Sequence, residues 1–140
     1  MQIKLQKVLR PLNLAEYAPE YGEAAMVVWV NPPTSLYEQI DNSLRDSDRI
    51  LGELRNLAGA ETRDSARMNA LRAELESTGE KMTAWLSEIW SQGQPETHMS
   101  IDDVKALEAD TRENDPALFR WLIGQSWLLI LGHRAGVKKN

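Results

Sequence analysis

Residues 115–131 have the sequence DPALFRWLIGQSWLLIL, which opens with a helix start signal and then becomes almost wholly apolar. Asp115 suits the N-cap, and Pro116 suits the first helical position, where its missing N–H costs no hydrogen bond. On a 3.6-residue period, only the strip through Arg120, Gly124 and Gln125 is plainly polar. A helix that is apolar over most of its circumference is either wrapped by its own domain or shared with a partner. The rest of the chain is therefore predicted to be organised around this helix.

Large aromatic side chains in the second half of the chain are the candidates for binding a partner. The chain has five Trp against one Phe, and four of the Trp lie in this half, which predicts an aromatic cluster where two helices meet. Trp127 is predicted to pack against Trp85 or Trp90. The alternative to core packing is self-association or partner binding through this region, for which the candidate residues are Trp90, Trp121, Trp127 and Leu128.

Length and composition indicate an ordinary globular protein. A chain of 140 residues predicts one domain spanning 1–140. The net charge of −5 argues against a nucleic-acid binder driven by phosphate neutralisation. The absence of cysteine excludes disulfides and thiolate zinc sites and fits the reducing cytoplasm. The apolar run at 118–131 falls short of the roughly 20 residues that a membrane span needs, and no signal peptide is recognisable. A cytoplasmic location is therefore expected.

Residues 1–33 are predicted to form a small antiparallel β unit. The alternation in 1–9 is typical of an outer strand, since Ile3 and Leu5 share one face. The strongest strand pattern is 24–31, AAMVVWVN, where both faces are apolar and should be covered. The prolines that follow end the strand.

Residues 34–92 are predicted to form a long antiparallel helical hairpin. Ser35 with Glu38 fits a capping box, and Gly59 separates two runs of apolar residues at 3 and 4 residue spacing. Each run is predicted to form a packing seam, and Leu51 is predicted to be buried in the first. The first seam comprises Tyr37, Ile40, Leu44, Ser47, Leu51, Leu54 and Ala58. The second comprises Met68, Leu71, Leu75, Thr78, Met82, Trp85 and Ile89.

Residues 93–140 are predicted to form the C-terminal helices. Ser100 with Asp103 fits a second capping box, which opens a short acidic helix. The Trp-rich helix follows and is predicted to stop at Gly132 or Gly136. The fold class is therefore α+β, mainly α, with a small N-terminal antiparallel β unit, a long helical hairpin and C-terminal helices.

Catalytic chemistry is not indicated by any motif. His98 and His133 are the only histidines, and neither has evident partners for metal ligation or general base work. The acidic residues after 101 do not follow a calcium-loop spacing, and there is no phosphate-binding glycine loop or nucleophile elbow. We therefore expect a protein that is not an enzyme and uses neither a cofactor nor a metal.

The order of elements resembles a known class of phage proteins. The stretches that carry the resemblance are AAMVVWVNPP (24–33), WSQG (90–93) and DPALFRWLIGQSWLLILGHR (115–134). They look like the small tail assembly chaperones encoded between the tail-tube and tape-measure genes of long-tailed bacteriophages and prophages. The resemblance implies a non-enzymatic protein of the host cytoplasm that coats the helical tape-measure protein during tail morphogenesis, helps recruit the tail-tube protein and tends to oligomerise. The long hairpin departs from the more compact members of this class.

Two other functions fit the residues. A nucleic-acid-associated phage or regulatory protein could use the basic end of the chain at Arg134, Lys138 and Lys139. An oligomeric coiled-coil scaffold could use the heptad seams. The phage resemblance also implies a possible ribosomal frameshift near the end of the reading frame, with which a terminal Lys139-Asn140 is compatible.

Overall fold

The computed structural model describes residues 2–61, 64–93 and 95–139, so Asn140 lies outside it. The chain divides into two compact units, one made of Met1–Pro33 with Leu86–Asn140 and the other of Thr34–Trp85. Within the described ranges there are four α-helices and one two-stranded antiparallel sheet, which confirms the predicted α+β, mainly α class. The prediction of a single domain concerns how the two units behave together and stays a prediction.

The sheet consists of β1 (Leu9–Asn13) paired antiparallel with β2 (Ala25–Trp29). The predicted second strand is confirmed, but the predicted first strand is misplaced. Residues 2–8 have no regular secondary structure, and Ile3 and Leu5 are 77% and 90% exposed. Alternation alone does not form a strand when its apolar side chains find no surface to cover.

Pro11 sits in the middle of β1 opposite Val27. A proline cannot donate to the ladder, but the pairs of an antiparallel ladder alternate between hydrogen-bonded and non-hydrogen-bonded. Leu14 N donates to Ala24 O, and Val30 N donates to Val8 O, at 3.0 and 2.9 Å. Counting inwards from either bond makes Pro11 a member of a non-hydrogen-bonded pair, so its missing N–H removes no bond from the sheet. The buried face carries Leu12, Val28 and Val30.

The predicted hairpin is confirmed as α1 (Thr34–Ala58) and α2 (Ser65–Trp90). Arg49 Nη2 lies 2.5 Å from Glu74 Oε1, and Arg67 Nη2 lies 2.7 Å from Glu53 Oε2. Because residues later in α1 pair with residues earlier in α2, the two helices run antiparallel. The hydrogen bond from Arg67 lowers the pKa of Glu53. Ser35 lies inside α1 rather than at its start, so the first predicted capping box is wrong.

The seam of α1 differs from the predicted one at every second position. Its buried or half-buried members follow a 4,3 spacing and are Leu36, Ile40, Ser43, Ser47, Ile50, Leu54 and Leu57. Leu51 is 42% exposed and Ala58 is exposed, so both lie off the seam. The α2 seam is confirmed. Its buried members are Met68, Leu71, Thr78, Trp85 and Ile89, and Leu75 and Met82 are half-buried.

The C-terminal helices are α3 (Ile101–Asn114) and α4 (Pro116–Lys139). The second capping box is confirmed, since Ser100 Oγ accepts from Asp103 N and the Asp103 carboxylate accepts from Ser100 N. These bonds lower the pKa of Asp103. Neither Gly132 nor Gly136 ends α4. Short 3₁₀ turns occur at Leu14–Glu16, Pro19–Tyr21 and Pro95–Thr97.

Trp90 forms the centre of the core in the unit that contains the sheet. Its side chain is 0% exposed, and its indole Nε1 donates to Ser126 Oγ over 3.0 Å. The rings of Trp90 and Phe119 are arranged edge to face, at an interplanar angle of 85° with 6.3 Å between their centroids. α4 itself packs against α3 and both strands. The end of α2 and the inner side of α4 thus share one buried cluster.

Replacing Gly93 by Ala is expected to lower the free energy of unfolding by about 1–3 kcal/mol, the usual cost of overpacking. A Cβ at this position would lie 2.7 Å from Thr97 Oγ1 and 3.0 Å from Val27 Cβ. The second distance involves a branch point that cannot swing away. Urea denaturation followed by circular dichroism measures the loss.

The matched control is Gly79→Ala on α2, where an added Cβ meets nothing within 4 Å. Alanine is the better helix former, so this variant should be at least as stable as the parent. Equal stabilities for the two variants would show that residue 93 is not tightly enclosed.

Candidate interaction face on α4

The corner between α3 and α4 is made by a single residue, Asp115. Its N–H donates to Thr111 O, and its O accepts from Leu118 N, so its backbone belongs to both helices. Its carboxylate accepts the Tyr17 hydroxyl at 2.8 and 2.9 Å. This hydrogen bond raises the pKa of Tyr17, because ionisation would place two negative groups together. The start of α4 is thereby tied to the loop that connects the strands.

Trp121 lies one and a half turns into α4 and packs on the same tyrosine. The ring centroids of Tyr17 and Trp121 are 5.4 Å apart at an angle of 51°, and Tyr21 lies 6.3 Å from Tyr17. Trp121 is half-buried by this contact. One side of its indole is thus held in place while part of it faces outwards, an arrangement typical of residues at interfaces.

The inner side of α4 is marked by buried residues at every fourth position. These are Leu118, Leu122, Ser126 and Ile130. At 100° per residue they spread over about 120° of the helix circumference. The Ser126 hydroxyl is fully buried and receives the Trp90 indole N–H, so the polar residue in this stripe has a partner.

The opposite side of α4 is exposed and carries little polar character. We define the α4 outer face by its exposed residues Arg120, Gly124, Leu128, Gly132 and Ala135. The half-buried Trp121 and Leu131 lie within the same arc. Leu128 is 57% exposed at the middle of the face. An exposed large apolar side chain with half-buried apolar neighbours on the same helix face is a candidate binding surface.

Glycines give this face its shape. A Cβ added at Gly124 or at Gly132 would meet nothing within 4 Å, so neither glycine is needed to fit the protein's own packing. Glycine inside a helix costs about 1 kcal/mol relative to alanine. The two glycines lie one turn before and one turn after Leu128. They leave the helix backbone exposed on either side of the apolar Leu128 side chain, so a second helix could approach closely there.

The charge of α4 differs from that of the rest of the chain. The helix contains Arg120, Arg134, Lys138 and Lys139 but no Asp or Glu, whereas the whole chain has 21 acidic and 16 basic residues. Two copies paired through the outer face would bring cationic residues of α4 to the interface and no acidic residue of α4 to balance them. A partner helix that carries acidic residues beside its apolar stripe is electrostatically the better match.

The candidate partner-binding residues do not all lie on this face. Leu128 lies at its middle, Trp121 lies within its arc, and Trp127 lies at its edge and is half-buried. Trp90 is in the core on the other side of α4, so its side chain is inaccessible to a partner in this conformation. Gly124 and Gly132 were predicted to be part of a polar strip and a helix stop, and their shared face with Leu128 was not predicted, although their four-residue spacing from Leu128 is a signal for it.

The described residues do not form a metal site. No group of three or more His, Asp or Glu side chains in these ranges is placed to hold a metal ion. His98 lies in a loop, where its Nδ1 is 3.2 Å from Ser91 O. Of the helices described, none has both the length and the apolar character needed to cross a membrane. No model of a known protein family, no curated protein and no solved structure matches the chain.

Proposed function

We propose that the protein is a non-enzymatic assembly chaperone that binds a helical segment of a partner on the α4 outer face. The observation that carries the proposal is an exposed apolar knob, Leu128, between two glycines that the protein's own packing does not require. Recognition of this kind, in which the apolar stripe of one helix docks on a complementary apolar surface, needs no catalytic group.

The partner implied by the resemblance is the tape-measure protein of a phage tail, together with the tail-tube protein. The tape-measure protein of this class is long, helical and apolar, so keeping it soluble requires a surface that covers apolar helix. The lack of acidic residues in α4 favours a tape-measure helix with Asp or Glu beside its apolar stripe. In this function the protein works in the cytoplasm of the host cell.

Co-expression with the tape-measure protein of the same gene cluster tests the proposal. The chaperone should raise the soluble fraction of the tape-measure protein, and Gly124→Leu should abolish the gain. The new side chain would fill the space that the partner backbone would occupy, yet its Cβ meets nothing within 4 Å in the free protein. Gly124→Leu should therefore be as stable as the parent or more stable, because leucine is the better helix former.

Gly79→Leu is the matched control, since Gly79 also lies in a helix and also faces open space. Leu128→Asp should act like Gly124→Leu, whereas Ile101→Asp, which changes another exposed apolar residue, should leave the soluble fraction high. If both α4 variants still raise the soluble fraction of the tape-measure protein, this face is not the binding site. A gene neighbourhood without tail-tube and tape-measure genes would remove the phage assignment.

Self-association of the chain is an alternative function, and the same variants distinguish it from partner binding. If the protein is an oligomeric scaffold, the α4 variants should change its mass in sedimentation measurements in the absence of any partner. If it is nucleic-acid-associated, retention on DNA should fall with rising salt.

A further inference from the structure

Residues 2–5, which we call the arm, precede β1 and have no partner in the sheet. Each of these residues is exposed, and Ile3 and Leu5 are the most exposed large apolar side chains among the described residues, at 77% and 90%. Gln2 and Lys4 alternate with them, so one face of the arm is apolar and the other is polar. This pattern is typical of a strand that covers one side of a sheet. The arm thus has the character of a strand but no sheet of its own to join.

The arm cannot pair within its own chain by extending β1. Val30 N donates to Val8 O, and the Asn31 side chain continues the pairing by accepting from Val8 N and donating to Gln6 O, over 2.6 and 2.8 Å. In the same register the arm would lie opposite residues 33–36, which comprise Pro33 and the first residues of α1. A helix offers no edge to a strand. The backbone groups of the arm are therefore left for water or for a strand of another molecule.

The outer edge of β2 is a free strand edge. The sheet has two strands, and its register directs the backbone N–H and C=O groups of Ala25, Val27 and Trp29 away from β1. Among the described residues, none pairs with these backbone groups, and Ala25 is exposed while Val27 is half-buried. The outer edge of β1 differs, because Pro11 removes the donor at its middle, a common protection of an edge strand. β2 is thus the edge that is open to an added strand.

We propose that the arm of one copy adds as a third, antiparallel strand to the outer edge of β2 in a second copy, and that the exchange is reciprocal in a two-fold dimer. In the dimer, Lys4 lies opposite Ala25, and Gln2 lies opposite Val27. Each of these pairs exchanges two backbone hydrogen bonds, because Ala25 and Val27 are residues of β2 whose N–H and C=O groups point outwards. The arm thereby gains the sheet that its own chain does not supply.

The side chains of the arm suit this register. Ile3 lies opposite Met26 and Leu5 opposite Ala24, on the sheet face that also carries the buried Val28. Met26 is half-buried and Ala24 is exposed, so both have surface that the arm can cover. A shift by one residue would turn both apolar side chains of the arm to the other face. The dimer uses no residue of the α4 outer face, so it stands or falls independently of the tape-measure experiment.

Sedimentation of the full chain over a range of concentrations tests the proposal. We expect a reversible dimer with a dissociation constant on the order of 10 μM, in keeping with a small interface. The double variant Ile3→Ser with Leu5→Ser should weaken the dimer more than tenfold. Both residues are exposed, so its circular dichroism should equal that of the parent.

Two control variants separate the arm from other exposed apolar residues. Ile101→Ser removes an apolar side chain that is 46% exposed on α3, and Gly124→Leu alters the α4 outer face. Both should leave the dissociation constant of the dimer unchanged. The proposal is overturned if the parent is monomeric at about 200 μM, well above the expected dissociation constant. It is equally overturned if the double variant of the arm dimerises as tightly as the parent.

Engineered cysteines test the register, since the chain has none of its own. Lys4→Cys in one protein and Ala25→Cys in another should form a disulfide-linked heterodimer when the two are mixed with oxidised glutathione. Opposite residues of a hydrogen-bonded pair have Cα atoms about 5.5 Å apart, which a disulfide can span. Ala24→Cys is the matched control, because it replaces an adjacent exposed alanine whose side chain points to the other face. Equal cross-linking of Lys4→Cys to both positions, or to neither, would contradict the proposed strand pairing.

Discussion

Replacing Ile50 by Asp should lower the free energy of unfolding of the hairpin by about 3–5 kcal/mol, the cost of an uncompensated buried charge. Ile50 is 0% exposed in the seam of α1. The same substitution at Leu51, which is 42% exposed, should cost about 1 kcal/mol or less, because the carboxylate stays in water. Thermal and urea denaturation, followed by the helical circular dichroism signal, measure both values.

The two variants are each other's control. They introduce the same residue at adjacent positions of one helix, so the net charge changes equally. Leucine is a better helix former than isoleucine, so the change in helix propensity disfavours Leu51→Asp slightly more and works against the expected difference. The difference in stability therefore reports which side of α1 faces α2. A larger loss for Leu51→Asp would contradict the observed register and restore the seam predicted from the sequence.

The sequence of α1 is compatible with two seams, which explains why every second member of the seam was predicted one residue too late. Ile40, Ser47 and Leu54 belong to both possible seams, and at the other positions two adjacent residues compete. Choosing Leu44 over Ser43 gives the more apolar stripe, yet Ser43 is the buried one. Adjacent residues differ by only 100° around a helix, so the pattern of one helix cannot decide between them.

Contacts with the second helix settle the rotation of α1. Arg49 and Glu53 both form ion pairs with α2, so they must lie at the edge of the interface. Exposed pairs of this kind add little stability, but they are compatible with only one side of α1 facing inwards. The sequence shows the charges without showing which of them pair, and the predicted seam did not use them.

The strands show a similar division between local and long-range information. β2 was predictable because its apolar residues are consecutive and end at two prolines. β1 was not, since Pro11 argues against a strand until its place in the ladder is known. That place depends on the pairing with Val27, which is a property of the sheet and not of the segment.

The candidate site was predictable in part. The apolar circumference of α4 indicated a helix that is either wrapped by its own domain or shared with a partner, but not which arc is buried. A tryptophan at the end of an amphipathic helix fits either a core or an interface, so the sequence alone does not distinguish a core position for Trp90 from a partner contact. Gly132 and Gly136 were predicted to end α4 but lie inside it, because the sequence does not show the φ that a glycine adopts. A glycine ends a helix when it adopts positive φ, and in the described chain only Gly22 does so.

Truncation of Trp90 to Ala should lower the free energy of unfolding by about 3–5 kcal/mol, as expected for a large aromatic residue in a packed core. The substitution removes a fully buried ring, the edge contact with Phe119 and the hydrogen bond to Ser126. Urea denaturation, monitored by the fluorescence of the remaining tryptophans, measures the loss. A nearly unchanged midpoint would show that the end of α2 is not part of the core.

Trp90→Phe separates the hydrogen bond from the ring. It keeps an aromatic side chain but leaves the fully buried Ser126 hydroxyl without its donor, which should cost about 1–3 kcal/mol. Adding Ser126→Ala removes the unsatisfied oxygen, so the double variant should lose less stability than the two single losses combined. A coupling of about 1 kcal/mol in this double-mutant cycle is expected for residues in direct contact. Strict additivity would mean that the indole N–H and the hydroxyl do not bond in solution, and the packing of α4 on α2 would then depend on shape alone.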